Sequence, residues 1–341
     1  MARTRGITIK DVARQAGVSI TAVSHALNGK GTLSAATREH IRGVAEEMGY
    51  EADALARGLR RSPMGAVGLV LRSLDVLGDY TPAGVDVFEH FVGSVASQAL
   101  ARGLSLTLVP DLTRRPVPPL AFSMDGYIVS SPHQDDPVVA LLEQRAIPYV
   151  TLGSIPGRPD FVHWAGEDDK ASMRLTLDHL EAGGARDVVL VRGTDRNAWN
   201  HDNETGYLGW CAERRIPPRV YRLPEGDGLE GGRNLVPRVI GDGLPDAVVC
   251  LTGRHAAGFQ EGLLAHGVRV PERTMVATGS DSEHARTSRP AITAVQRNPA
   301  DSAAALLDIL QALIAGETAP APRLTRSRLR PRASTSRPRH G

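Results

Sequence analysis

The chemically capable side chains nearest the start of the chain crowd into one stretch, "AGVSITAVSHALNG" (residues 16–29). It holds the hydroxyls of Ser19, Thr21 and Ser24, the imidazole of His25 and the amide of Asn28. An imidazole among hydroxyls suits nucleophilic chemistry, a metal, or hydrogen bonding to another molecule. The rest of the chain supplies nothing for the first two. His133, His163, His179 and His201 are scattered without metal-ligand spacing, and Cys211 and Cys250 are too far apart in sequence to read as a disulfide framework or metal cluster. No nucleophile elbow, phosphate-binding loop, zinc pattern or dinucleotide fingerprint occurs. "GLEGG" and "GDGLPD" read as loop glycines. Neither an enzyme nor a cofactor is expected.

The elements that must carry those side chains are short helices. Thr8 caps the first, with Asp11 in its first turn and Val12, Ala13 and Ala16 on its apolar face. Gly17 breaks it, and Ser19 caps a second with Val23, Ala26 and Leu27 turned inward. Asn28-Gly29 ends that helix. A third, "AATREHIRGVAEEMG", starts from Ser34 with Ile41, Val44, Ala45 and Met48 at helical spacing. Two helices joined by a Gly turn form a helix-turn-helix. Its second helix leaves Ile20, Thr21, Ala22, Ser24 and His25 free to enter a DNA major groove. "DALARGLRRSP" then reads as a helix of under two turns, too short to persist alone in water, ending at Pro63.

From Ala66 the pattern changes. Apolar runs of strand length, "AVGLVL", "DGYIVSS", "DVVLVRG" and "DAVVCL" among them, alternate with helical patterns such as "ASMRLTLDHLEAGG" and "DSAAALLDILQALIAG". That order predicts two doubly wound parallel α/β subdomains. Of the 341 residues 41% are hydrophobic and only 4% aromatic, so the cores are expected to be aliphatic. No run of 18 apolar residues and no secretion signal is present, which points to a cytoplasmic protein without a membrane span. Residues 1–61 carry ten Lys/Arg against six Asp/Glu, and Arg323 to Gly341 carry seven Arg and no acid. The final stretch reads as a basic, fraying tail that could add nonspecific DNA affinity.

The stretch from "ITIKDVARQAGVSITAVSHALN" to "ALARGLRR" resembles, almost without gaps, the DNA-binding head of the lactose-repressor/galactose-repressor family of bacterial transcription regulators. "DGYIVSS", "IPYVTLGS", "PAITAVQRNP" and "LRPRAST" extend the resemblance over most of the chain. The resemblance implies a helix-turn-helix domain at 1–50 and a hinge helix or linker at 51–63. A periplasmic-binding-protein-like α/β core would follow at 64–322, for effector binding and dimerisation, with a basic segment at 323–341. Ile20, Thr21 and His25 fall on base-reading positions. Thr8, Ser19, Ser24, Asn28, Ser34 and Thr37 fall where the family grips phosphates. Ala56 and Leu59 fall where a hinge-helix pair enters the minor groove. The implied protein is a homodimeric repressor on a palindromic operator.

His25 stands where the family most often has Arg; a neutral imidazole cannot make the bidentate arginine–guanine contact. The sugar-binding Arg and Asp of the family are replaced by Asn203 and Gly253. Asn203, Asp281, His255 and Trp199 are the candidates to meet an effector, with Arg254 and Asp168 beside them. Three readings stay open: a small molecule of another class than simple sugars, a protein effector, or a degenerate sugar site on a constitutive DNA-binding regulator.

Overall fold

A computed structural model describes residues 9–27, 31, 33–48, 63–72, 86–114 and 116–336. The chain divides into two compact units, 1–64 and 65–341.

In the first unit, helices α1 (Ile9–Gln15), α2 (Ile20–Leu27) and α3 (Ala35–Glu47) close around Val12, Ala13, Ala16, Val23, Ala26, Ile41 and Ala45. Four of these seven are alanines, which lets three short helices approach closely around few atoms. Gly17 takes φ +66°, the left-handed conformation that turns α1 into α2. The Ser19 hydroxyl accepts the Ala22 amide at 3.1 Å, and the Ser34 hydroxyl accepts the Thr37 amide at 3.1 Å. Both serines therefore satisfy amides that a helix start leaves open.

The second unit holds two six-stranded sheets. The first runs β2 (Ser105–Val109), β1 (Ala66–Leu71), β3 (Gly126–Ser130), β4 (Tyr149–Leu152), β5 (Trp164–Glu167) and β11 (Arg323–Thr325), parallel throughout. The second runs β7 (Val220–Leu223), β6 (Val188–Gly193), β8 (Ala247–Cys250), β9 (Met275–Thr278), β10 (Thr293–Gln296) and β12 (Arg328–Arg330), parallel except for β12. β3, β8 and β9 are buried along their whole length, as strands covered on both faces must be.

Helices supply those covers. α4 (Asp86–Ala101) and α11 (Pro299–Ala315) pack on one face of the first sheet through Val95, Leu306 and Leu310. α5 (Pro137–Gln144) covers the other through Val138 and Leu142. On the second sheet, α6 (Asp169–Ala182) and α7 (Ala198–Arg214) pack through Leu177, Tyr207 and Trp210. α8 (Gly228–Gly241) and α9 (Gly253–Ala265) pack opposite through Val239, Phe259 and Leu263. A one-turn helix, α10 (Glu283–Thr287), follows β9.

Two expectations fail here. "GLEGG", read as a loop, opens α8, and its Gly232 lies against the backbone of α9. The separate segment at 323–341, read as fraying, is built into both sheets as far as residue 336. Thr325 pairs with Glu167 in β5, Arg330 pairs with Ala294 in β10, and Ser334 is fully buried. The Ser334 hydroxyl donates to the Val276 carbonyl at 2.6 Å and accepts the Thr293 amide at 2.9 Å. Thr325, Ser334 and Thr335 face inward as small polar groups that bond to backbone carbonyls, while Arg323, Arg326, Arg328 and Arg330 face water.

The chain therefore crosses between the sheets three times: from β5 to α6, from β10 to α11, and from β11 to β12.

Candidate functional site

Two places gather the residues singled out by sequence. The first is α2. Val23 and Ala26 are wholly buried, which fixes the rotation of the helix and turns its first turn outward. Ile20 is 45% exposed and Thr21 is exposed beside it. Ser24 and His25 are half-buried. The His25 ring closes over the backbone of Gly31: a Cβ placed there would sit 2.5 Å from Nδ1. Ser34 and Thr37 share a 2.7 Å hydroxyl–hydroxyl bond at the start of α3. Thr8, Asn28, Ala56 and Leu59 lie outside the described residues.

The second place is a cavity of about 500 Å³ in the core unit, walled by both sheets at the C-terminal ends of their strands. This is where open parallel sheets leave a crevice. Phe91 of α4, Ser130 at the end of β3 and Trp164 of β5 line it from one side. Trp199 of α7, Arg254 of α9 and Asp281 after β9 line it from the other. The Trp199 indole Nε1 and the Ser130 hydroxyl are buried without a hydrogen-bond partner, so both stand ready for a polar ligand.

Of the four effector candidates, Trp199 and Asp281 line this cavity. Asp281 is held by Arg332 at 2.7 Å, from the segment after β12. Asn203 and His255 are not among the lining residues. Asn203 is 3% exposed and donates to the Trp199 carbonyl one turn back, at 2.9 Å. His255 is wholly buried and donates from Nε2 to the Pro224 carbonyl at 3.2 Å. Burial pushes its imidazole down to about 4, so it is neutral at physiological pH. Asp168 caps α6 by accepting the Ala171 amide at 3.0 Å.

The floor of the cavity is a charge cluster joining two of the three crossings. Arg297, just after β10, reaches Glu167 at 3.0 Å and Asp169 at 2.8 Å, and its guanidinium lies 5.5 Å from the Trp199 ring centre. Burial, together with the carboxylates of Glu167 and Asp202, pushes the Asp169 carboxyl up to about 7 against the pull of Arg297. The folded chain thus holds a proton there that the unfolded chain releases near 3.8. Stability is expected to rise as pH falls from about 7 toward about 4, by at most about 1.4 kcal/mol per pH unit. Asp169→Asn should remove that rise. Thermal melts of both proteins across this range check it; equal slopes would show that the carboxyl titrates normally.

The two halves also meet across the cavity rim. The Gln134 amide donates to the Arg196 carbonyl at 2.9 Å, and His133 approaches Asp195 at 3.8 Å. The Asp136 carboxylate accepts the His133 amide and the Arg72 guanidinium, and Arg72 donates to Asp111 at 2.7 Å.

Sequence reasoning missed Arg297, Glu167, Asp169 and Ser130. For the charged three the available signal was "GEDD" and "QRN": charged residues at or just past the end of a short strand, where a parallel fold puts its ligand-facing ends.

Among the described residues no helix is long and apolar enough to cross a membrane, and no three His, Cys, Asp or Glu side chains group as metal ligands.

Residues 8–53 match the bacterial regulatory proteins of the lacI family, and residues 177–335 match the periplasmic binding protein-like domain. An HTH-type transcriptional regulator of Mycolicibacterium smegmatis is 31% identical over 226 residues, 64% of this chain and 59% of that protein. The HTH-type transcriptional repressor PurR of Erwinia tasmaniensis is 27% identical over 299 residues, 85% of each chain. Among solved structures, the Lac repressor dimer bound to operator and the anti-inducer ONPF superposes with a TM-score of 0.74 at 21% identity. It covers 97% of this chain and 99% of that one. The transcriptional regulator CelR in complex with cellobiose gives 0.68 at 22% identity, covering 96% and 99%. At these identities the structural likeness speaks for the fold.

Proposed function

The chain belongs to the lacI family of bacterial regulatory proteins, and from that premise we propose how it works. It is a sequence-specific DNA-binding transcriptional regulator that acts as a repressor, and a ligand or partner at the cavity between its two sheets sets its operator affinity. The observation that carries this reading is the geometry of α2. It is capped by Ser19, anchored by Val23 and Ala26, and preceded by a glycine turn that leaves Ile20 and Thr21 exposed on its first turn. That is the presentation a recognition helix needs.

The roles proposed for the head follow from chemistry. Ile20 makes apolar contact with a base edge, Thr21 offers a hydroxyl and a methyl, and His25 offers one donor or one acceptor. Ser19, Ser24, Ser34 and Thr37 hold phosphates, together with Thr8 and Asn28, and Ala56 and Leu59 enter the minor groove. The Lac repressor named above is a dimer on its operator. A homodimer of this chain would likewise read two half-sites of a palindrome. The protein works in the cytoplasm, where that DNA is.

Regulation is a matter of linkage. A ligand that prefers one separation of the two sheets over another shifts the population of head arrangements that can grip an operator. Trp199 and Ser130 offer it hydrogen bonds, and Phe91 and Trp164 offer apolar walls.

The test is a binding-site selection with the full-length chain and random duplex DNA. A palindromic consensus is expected; recovery of no consensus would sink the reading. In the same assay His25→Arg is expected to favour guanine at one position of each half-site by about 1–3 kcal/mol over the wild type. An unchanged consensus would move His25 to the phosphate-contacting group.

A further inference from the structure

The arginines near the end of the chain are absorbed by neither the head nor the cavity. Arg323 opens β11, Arg326 lies in the third crossing, and Arg328 and Arg330 sit on β12; all four are exposed. We propose that this ridge docks the phosphate backbone of duplex DNA outside the operator. The proposal rests on the DNA-binding reading above and adds a second contact surface to it.

Three observations carry it. First, none of the four guanidinium groups is paired with a carboxylate among the described residues; Arg330 meets only the Gln296 side-chain oxygen, at 2.8 Å. By contrast Arg297, Arg332 and Arg214 of the core unit are each met by acids. From residue 318 to the end there is no Asp or Glu to neutralise the ridge.

Second, the ridge is held on ordered backbone. Arg328 and Arg330 face Gln296 and Ala294 across an antiparallel ladder. Just beyond, Arg332 is tied to Asp281 and Ser334 is buried under the sheet. Cations fixed this way lose less freedom on docking than those of a loose tail.

Third, the spacing suits a repeating anion. Residues two apart on a strand share a face at about 6.7 Å, so Arg328 and Arg330 present two cations on one side of β12 to a polyanion. The groups are arginines, whose planar fork meets phosphate oxygens two at a time.

The experiment uses the full-length chain and a 30-base-pair duplex lacking the selected consensus, followed by fluorescence anisotropy at several salt concentrations. Arg326→Ser, Arg328→Ser and Arg330→Ser are combined in one variant. Its log-affinity against log-salt line is expected to be shallower by about 0.9 for each arginine that sits on a phosphate, close to three in all. The same three positions changed to Lys should keep the wild-type slope, which separates lost charge from lost folding. The consensus recovered by selection should stay the same in both variants. An unchanged slope in the serine variant overturns the ridge while leaving the head intact. An unchanged slope with new aggregation would reassign the arginines to guarding an exposed sheet edge. If the wild type binds neither this duplex nor any selected one, both readings fall together.

Discussion

Replacing Arg297 by Met is expected to destabilise the core unit by about 3 kcal/mol at pH 8 and by clearly less at pH 5. The cause is what the substitution leaves behind. Glu167 and Asp169 both point at the guanidinium, with side chains 5% and 14% exposed, and Arg297 itself is only 22% exposed. Without the cation, two carboxylates share a poorly hydrated floor, and one must take up a proton or the crossings must open. Acid supplies that proton, so the loss shrinks as pH falls, the direction already set by the raised Asp169 carboxyl. Urea denaturation at the two pH values measures it. Adding Asp169→Asn and Glu167→Gln to the Met variant should restore most of the loss, since a neutral floor carries no stranded charge. An equal loss at both pH values would mean that Arg297 acts by packing alone. The same variant should weaken effector coupling before it weakens DNA binding, because the cluster ties the crossings and lies remote in sequence from α2.

The second large effect is steric. Gly232 of α8 and Gly258 of α9 face the partner helix without a side chain: a Cβ at Gly258 would overlap the Leu229 carbonyl oxygen, and one at Gly232 the His255 carbonyl oxygen. The neighbours are backbone, which cannot swing aside as a side-chain tip can. Gly258→Ala is therefore expected to cost about 3 kcal/mol, the upper end for one added methyl in a packed interior. It should also disturb the cavity, because α9 begins at Gly253 and carries Arg254 into the lining. Gly209 of α7 is the matched control. Nothing lies within 4 Å of a Cβ there, so Gly209→Ala should stabilise by about 0.5–1 kcal/mol through helix propensity. Thermal melts of the two variants decide the matter; equal shifts would show that α8 and α9 separate without strain.

What could be read from sequence depended on where the physics was local. β1, β3, β8 and β9 stood out because strands covered on both faces are apolar along their length. β5 and β7, "WAGE" and "VYRL", are four residues each and only partly buried, and β10, "TAVQ", carries polar residues at both ends, so no run or alternation marked them. α8 was hidden by Gly231, Gly232 and Pro237, residues that oppose a helix in isolation. The contact with α9, which needs Gly232, overrides their propensity. The last strands were hidden by arginine composition, because the inward groups there are Thr325, Ser334 and Thr335 rather than aliphatic side chains. At the candidate site, the exposed start of α2 followed from capping and spacing within ten residues. The Arg297 cluster joins positions about 130 residues apart in sequence, and nothing local to either of them announces the other.

The three crossings have a consequence for how such a protein can be recombined. The head occupies one uninterrupted stretch, with its boundary between Met64 and Gly65, so a single splice there exchanges it for another. Neither half of the core is uninterrupted. The first-sheet half needs residues from before β5, from α11 and from β11; the other half takes what lies between and after. A chimera that exchanged one half would need three junctions, and two of them would cut beside the Arg297 cluster. Exchange of the head is thus open to a single genetic event, whereas exchange of half of the cavity wall is not, and changes in the cavity must arise by substitutions along its walls.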